Sequence, residues 1–242
     1  MAKINNNYSP NFSVPKRIKK NIKFIILHYT GMINELSAIR KLCDCKSEVS
    51  AHYFIKENGE IINLIPDLYI AWHAGKSKWK KTSFLNKLSI GIEIQNPGHD
   101  YGYKRFSSKQ MKSIKKLLKK LIKKYRIDIS NILGHSDIAP DRKKDPGEKF
   151  PWKNLAKYNL AKWHNLDEKI IKTLRKKKLS KKDDKIFLQN LYLIGYNKSM
   201  QIKAHLSKKL LITAFQRRFR QNLINGKSDK ECLLISKNLL KY

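Results

Sequence analysis

Two histidines and an aspartate occupy positions from which chemistry could be done. His28 ends the apolar run Phe24-Ile25-Ile26-Leu27, and the end of a buried strand is where α/β folds present functional groups. His135 follows Asn131-Ile132-Leu133-Gly134, a second apolar segment closed by a glycine. Asp145 opens Asp145-Pro146-Gly147, a turn that fixes the direction of its carboxylate. Two imidazoles and one carboxylate would give a tetrahedral zinc three ligands and leave one position for water, the arrangement of catalytic rather than structural sites. Zinc so held lowers the pKa of its water toward about 7 and polarises a carbonyl. The three positions follow no local ligand rule such as His-Glu-x-x-His, so hydrogen-bonded core histidines remain the alternative.

Other chemistry-bearing residues are less pointed. Ser89-Ile90-Gly91-Ile92-Glu93-Ile94 alternates cleanly, with the isoleucines on one face of a strand and Glu93 on the other, where a mid-strand carboxylate needs a reason. His52, beside Tyr53, could orient a ligand or be a core histidine. Trp72, His73 and Trp79 could line a groove for a sugar ring, or pack in the core. His99, His164 and His205 attract no role.

The elements that must position these groups are readable. A strand over 24–27 leads to a helix over 34–42. Strands over 49–55 and 61–65 flank Glu57-Asn58-Gly59, a hairpin signal because Asn-Gly accepts positive φ cheaply. A strand over 88–95 follows. The clearest helix covers 107–125: Ser107 and Gln110 form a capping box, Phe106 can staple onto Met111, and Met111, Ile114, Leu118, Leu121 and Tyr125 form one apolar stripe. The fold class is α/β, a mixed sheet flanked by helices. Short helical patterns after a linker at 166–182 predict a second, small all-α domain over 183–242, behind an N-terminal extension (1–20) and a main domain (21–165).

With 242 residues, 41% hydrophobic and 10% aromatic, the chain can bury a core and is not a disordered polymer. No apolar run approaches the roughly 20 residues of a membrane span. Lys plus Arg is 53 against 19 acidic residues, a formal charge of +34, which implies an anionic partner. Basic residues are dispersed rather than interleaved with aromatics on one platform, so no specific nucleic-acid site is expected. Cys43, Cys45 and Cys232 are too few for a disulfide framework and read as free thiols.

Five sequence words in register carry a resemblance: Phe24-Ile25-Ile26-Leu27-His28-Tyr29-Thr30, Val49-Ser50-Ala51-His52-Tyr53, Ala71-Trp72-His73-Ala74-Gly75, Ser89-Ile90-Gly91-Ile92-Glu93-Ile94, and Gly134-His135-Ser136-Asp137-Ile138-Ala139-Pro140 running to Asp145-Pro146-Gly147. From about residue 20 to 155 the chain resembles the type 2 N-acetylmuramoyl-L-alanine amidases, relatives of the peptidoglycan recognition proteins. The resemblance implies one catalytic Zn2+ on His28, His135 and Asp145, with Glu93 as the catalytic carboxylate and Lys143 as oxyanion stabiliser. It also implies Trp72, His73, Trp79, Asn96 and Arg142 as substrate-binding candidates. The implied reaction cuts the amide between N-acetylmuramic acid and L-alanine, in intact peptidoglycan or muropeptide fragments, during wall turnover or recycling. A non-catalytic recognition protein is the rival, favoured had Glu93 or a ligand been lost; neither is.

In the tail, Leu188-Gln189-Asn190-Leu191, Ala214-Phe215-Gln216-Arg217-Arg218-Phe219-Arg220 and Asn225-Gly226-Lys227-Ser228-Asp229 resemble a three-helix peptidoglycan-binding module. Residues 1–20 show no signal peptide or lipid-attachment cysteine, which favours the cytoplasm, whereas a wall-binding module favours the periplasm.

Overall fold

The computed structural model describes residues 4–6, 8–198 and 203–241. Residues 1–3 and 7 of the expected N-terminal extension, and 199–202 and 242 of the expected helical segment, lie outside the described residues. In chain order the main elements are β1 (Ile4–Asn6), β2 (Phe12–Ser13), β3 (Phe24–Tyr29), α1 (Glu35–Cys43), β4 (Tyr53–Ile55), β5 (Ile61–Asn63), β6 (Ile70–Ala71), β7 (Lys78–Trp79), β8 (Thr82–Ser83) and β9 (Ser89–Ile94). There follow α2 (Ser108–Tyr125), β10 (Ile132–Gly134), α3 (His135–Ile138), α4 (Trp152–Ala156), α5 (Glu168–Lys172), α6 (Lys181–Ile194), α7 (Ala204–Phe219) and α8 (Lys230–Lys241).

Six strands form one mixed sheet in the order β1-β5-β4-β9-β3-β10. Its centre is parallel: β9 lies between β3 and β4, and β10 runs parallel to β3. The β4–β5 pair is the antiparallel hairpin expected around Asn58-Gly59, with Tyr53 opposite Asn63, and Gly59 has the positive φ of 84° that the turn demands.

The period-two pattern of β3 and β9 divides the sheet into two chemically different faces. Ile25, Leu27, Ile90, Ile92 and Ile94 meet the stripe of α2, where Met111, Ile114, Leu117, Leu118, Leu121 and Tyr125 are buried. Each such side chain contributes roughly 1.5–3 kcal/mol. The Ser107–Gln110 capping box closes the start of α2, with reciprocal bonds of 3.1 and 2.9 Å. The opposite face carries Phe24, Ile26 and Leu133, which share a second core with Phe187, Leu191, Tyr196, Leu211 and Phe215 of the C-terminal helices. It also carries Phe54 and Ile62, covered by Ala38 and Leu42 of α1.

The C-terminal helical region therefore lies on the sheet as one of its covering layers. Arg218 of α7 forms a buried ion pair with Asp137 of α3 at 2.6 Å, and Tyr196 donates to the same carboxylate at 2.7 Å. Within the expected linker, α5 is helical and Ile171 is buried in the second core. Within the expected N-terminal extension, β1 pairs in parallel with β5 and β2 pairs with β6.

Candidate active site

Strand register assembles the site. β3 and β9 run parallel with His28 directly opposite Glu93, and side chains of aligned residues on adjacent strands point to the same face. β10 runs beside β3 and delivers His135 as the first residue of α3. Asp145 is carried in by the following loop, its carbonyl accepting from Ser136 N–H at 2.8 Å. His28, His135 and Asp145 are 1%, 3% and 7% exposed, so none can turn to water for its hydrogen bonds.

Their donor atoms converge. His28 Nδ1 lies 3.0 Å from His135 Nδ1 and 2.9 Å from Asp145 Oδ2, and His135 Nδ1 lies 3.1 Å from the same oxygen. The remaining nitrogens assign the tautomers. His135 Nε2 faces the carbonyl of Ala74 at 3.2 Å and must donate to it. Ser89 Oγ donates to Leu85 O at 2.6 Å and so accepts from His73 Nε2 at 3.2 Å. His73 Nδ1 is then the acceptor for His28 Nε2–H at 3.2 Å. Both Nδ1 atoms are left as bare lone pairs beside a carboxylate oxygen, an arrangement that repels itself unless a cation sits among them. Two neutral imidazoles, each donating its far N–H, with one carboxylate is the donor chemistry of a zinc site.

The electrostatics agree. Burial, followed by the neighbouring His135, pushes the pKa of His28 down to about 4. Burial alone would raise the Asp145 carboxyl, but positive charge at the point it shares with His135 and His28, whether protons on their Nδ1 atoms or a cation in their place, holds it well below the usual carboxylate range. Glu93 behaves oppositely: burial, then the adjacent Asp145 charge, raises it well above that range, with Lys143 partly offsetting them. Glu93 Oε1 is 3.9 Å from His28 Nδ1, and its buried Oε2 has no hydrogen-bond partner among the described residues. The group opens onto a cavity of about 480 Å³ lined by Trp72, His73, Glu93, Arg142 and Lys143 beside the three donors.

Residues 18–148 match the N-acetylmuramoyl-L-alanine amidase family. The chain belongs to it. N-acetylmuramoyl-L-alanine amidase AmiD of Escherichia coli is 33% identical over 232 residues, 91% of this chain and 83% of the relative. The structure of AmiD in complex with anhydro-N-acetylmuramic acid-L-Ala-D-gamma-Glu-L-Lys superposes with a TM-score of 0.80 at 30% identity, covering 95% of this chain and 92% of that one. AMPDH3 from Pseudomonas aeruginosa, solved in complex with anhydromuramic pentapeptide, gives 0.80 at 29% identity over 96% of each chain. The reaction of this amidase is hydrolysis of the amide joining N-acetylmuramic acid to L-alanine, and its partners are peptidoglycan-derived fragments.

The other expected site residues of the amidase divide by position. Trp72 lines the cavity, with its indole N–H donating to Ser13 Oγ at 2.8 Å. Arg142 also lines it, while Nε and Nη2 hold the Lys76 carbonyl at 3.0 and 2.7 Å. Two candidates do not line the cavity. Trp79 is 3% exposed and packs on Tyr196 at 5.0 Å in the second core, away from the cavity. Asn96 is fully buried; it donates to Lys104 O at 2.8 Å and accepts from Gly98 N–H at 3.1 Å, bracing its own loop. His52 is a core histidine whose Nδ1 accepts from Gly91 N–H at 3.0 Å.

Sequence reasoning missed Tyr29, His99, Tyr103 and Glu148, which gather beside the Asp145 loop. For His99 and Tyr103 the one sequence signal is the run Gly98-His99-Asp100-Tyr101-Gly102-Tyr103, rings interleaved with two glycines; Tyr29 and Glu148 carry none.

Proposed function

We propose that His28, His135 and Asp145 hold one zinc ion, and that Glu93 and Lys143 carry the proton and charge movements of the amidase reaction around it. The convergence of three bare donor atoms on one buried point is the observation that carries this reading. When bound, zinc supplies Lewis acidity toward the amide carbonyl and acidifies a water molecule. Amide resonance makes that carbonyl a poor electrophile, so the protein must supply both a base and an oxyanion partner. Glu93 accepts the proton of the attacking water and returns it to the L-alanine nitrogen as the C–N bond breaks. A carboxyl raised by burial is suited to both transfers. Lys143, on the cavity wall, stabilises the negative charge that develops on the carbonyl oxygen.

The substrate class we assign is the anhydro-muropeptide, the ligand type with which AmiD and AMPDH3 were solved. A cavity of about 480 Å³ suits a muramyl residue with the start of its stem peptide, and the net charge of +34 suits that peptide's carboxylates. The C-terminal helical region, resembling a wall-binding module, would raise the local concentration of polymeric substrate.

The test is mass spectrometry of anhydro-muropeptides incubated with the protein, with and without chelator, beside Glu93→Gln. Expected is zinc-dependent release of peptide with a free L-alanine amine, reduced at least about 100-fold in the variant. Release unaffected by the chelator, or undiminished in Glu93→Gln, would overturn the assignment.

A further inference from the structure

A chain of contacts runs from the C-terminal helices to the two segments that carry His28 and Asp145. Arg217 of α7 faces Glu148, Nε to Oε2, at 3.9 Å. Glu148 accepts from His99 Nε2–H at 3.1 Å. Because that nitrogen is the donor, His99 Nδ1 accepts from Tyr29 O–H at 2.8 Å, and Tyr29 directly follows His28. His99 stacks on Tyr103 at 4.5 Å with an interplanar angle of 26°. Tyr103 O–H donates to Pro146 O at 2.7 Å and accepts from Lys149 N–H at 2.8 Å. Gly147, at φ +81°, leaves room for this clamp: a Cβ there would lie 2.5 Å from the Tyr103 hydroxyl. The ligand loop 145–149 is thus gripped on both sides, and of the gripping groups Tyr29 reaches the cavity wall while His99, Tyr103, Glu148 and Arg217 lie behind it.

We propose that Glu148 and His99 are positioning residues, a relay through which α7 holds the His28 strand and the Asp145 loop at metal-binding separation. The relay rests on the zinc assignment above. Its consequence is that the C-terminal helical region contributes to metal affinity in addition to any hold on polymer. Glu148 acts through its acceptor oxygens, so glutamine, which retains one of them, preserves the bond to His99, whereas alanine removes it.

The test is zinc affinity of the full chain, measured by competition with a chromophoric chelator, alongside thermal midpoints. Glu148→Ala is expected to weaken zinc binding by about tenfold, the lower end of the effect of outer hydrogen-bond partners. Arg217→Ala should shift it the same way by about threefold; Glu148→Gln, which keeps an acceptor for His99 but loses the charge facing Arg217, should lose no more than that. Arg175→Ala is the stability control. It breaks a two-pronged pair with Glu231, 2.6 and 2.7 Å, within the helical region, and should lower the thermal midpoint while leaving zinc affinity unchanged. The relay is overturned if Glu148→Ala loses no more affinity than Arg175→Ala, or if Glu148→Gln loses as much as Glu148→Ala. Parental affinity in Arg217→Ala would overturn the link to α7. A parent chain that fails to bind zinc would instead sink the metal assignment itself.

Discussion

His73 shows what a residue one hydrogen bond behind a proposed zinc ligand can decide. Its ring fits against β9 only because residue 91 is glycine: a Cβ there would lie 2.4 Å from the imidazole. Held so, His73 accepts from His28 Nε2–H and fixes the tautomer that leaves His28 Nδ1 bare. His73→Phe keeps an aromatic ring, though a larger one, and removes the acceptor, so zinc affinity should fall about 10- to 100-fold. His73→Gln, which can still accept, should recover part of the loss. Chelator competition checks this, and a phenylalanine variant binding zinc as the parent does would remove His73 from the site. At this scale the sequence was partly legible. Glu93 stood out because a carboxylate broke a clean strand alternation, and His28 and His135 because each ends an apolar run. His73 was placed near the substrate, yet its role depends on which nitrogen faces His28, and Ser89 and Leu85 set that through the fold.

Asp67 ties three elements together. It lies between β5 and β6, is 8% exposed, and accepts from Tyr53 O–H of β4 at 2.6 Å, Tyr125 O–H of α2 at 2.5 Å and Lys124 at 2.7 Å. Burial opposes its charge, but these three donors hold its pKa below the ordinary value. Asp67→Ala strands two buried phenols, while the Lys124 ammonium, 43% exposed, returns to water. The expected cost is about 2–4 kcal/mol, read as a lower urea midpoint at unchanged slope. A change within about 0.5 kcal/mol, the range of ordinary surface substitutions, would show that the tie adds nothing. The elements tied here were legible because their signals are local: the Asn58-Gly59 turn, the Ser107–Gln110 cap and the stripe of α2 lie within a few residues of what they specify. Trp79 was not, because its burial depends on Gly195, whose missing Cβ admits the indole, and on Tyr196. The tail words Phe215-Gln216 and Asn225-Gly226 have a structural use besides any wall affinity. Gln216 Oε1 accepts from Asn225 and Gly226 N–H at 3.0 and 2.9 Å, clamping the turn before α8.

Across the whole molecule, the second core makes one layer of the sheet and the helices α6–α8, so we expect the two regions to unfold together in a single calorimetric transition; two resolved transitions would contradict this. The seam carries a pH dependence. Trp163 packs against both cores and stacks on His164, which is 7% exposed with Nδ1 unpartnered among the described residues. Burial pushes the His164 pKa down to about 4, with Glu168 opposing and Lys153 reinforcing the shift. In the unfolded chain it titrates near 6.5. The folded value lies below the unfolded one, so the unfolded state binds the extra proton first. The stability associated with a neutral His164 is complete above about pH 6.5 and is lost as pH falls toward 4, a change on the order of 2–3 kcal/mol. Calorimetry from pH 7 to 5 should show the transition midpoint falling. His164→Phe, which keeps the stack on Trp163 but cannot take a proton, should show a shallower fall. Parallel slopes in the two proteins would mean that acid loosens the amidase elsewhere, with His52, lowered to about 3 by its own burial and then Arg17, as the next group to replace.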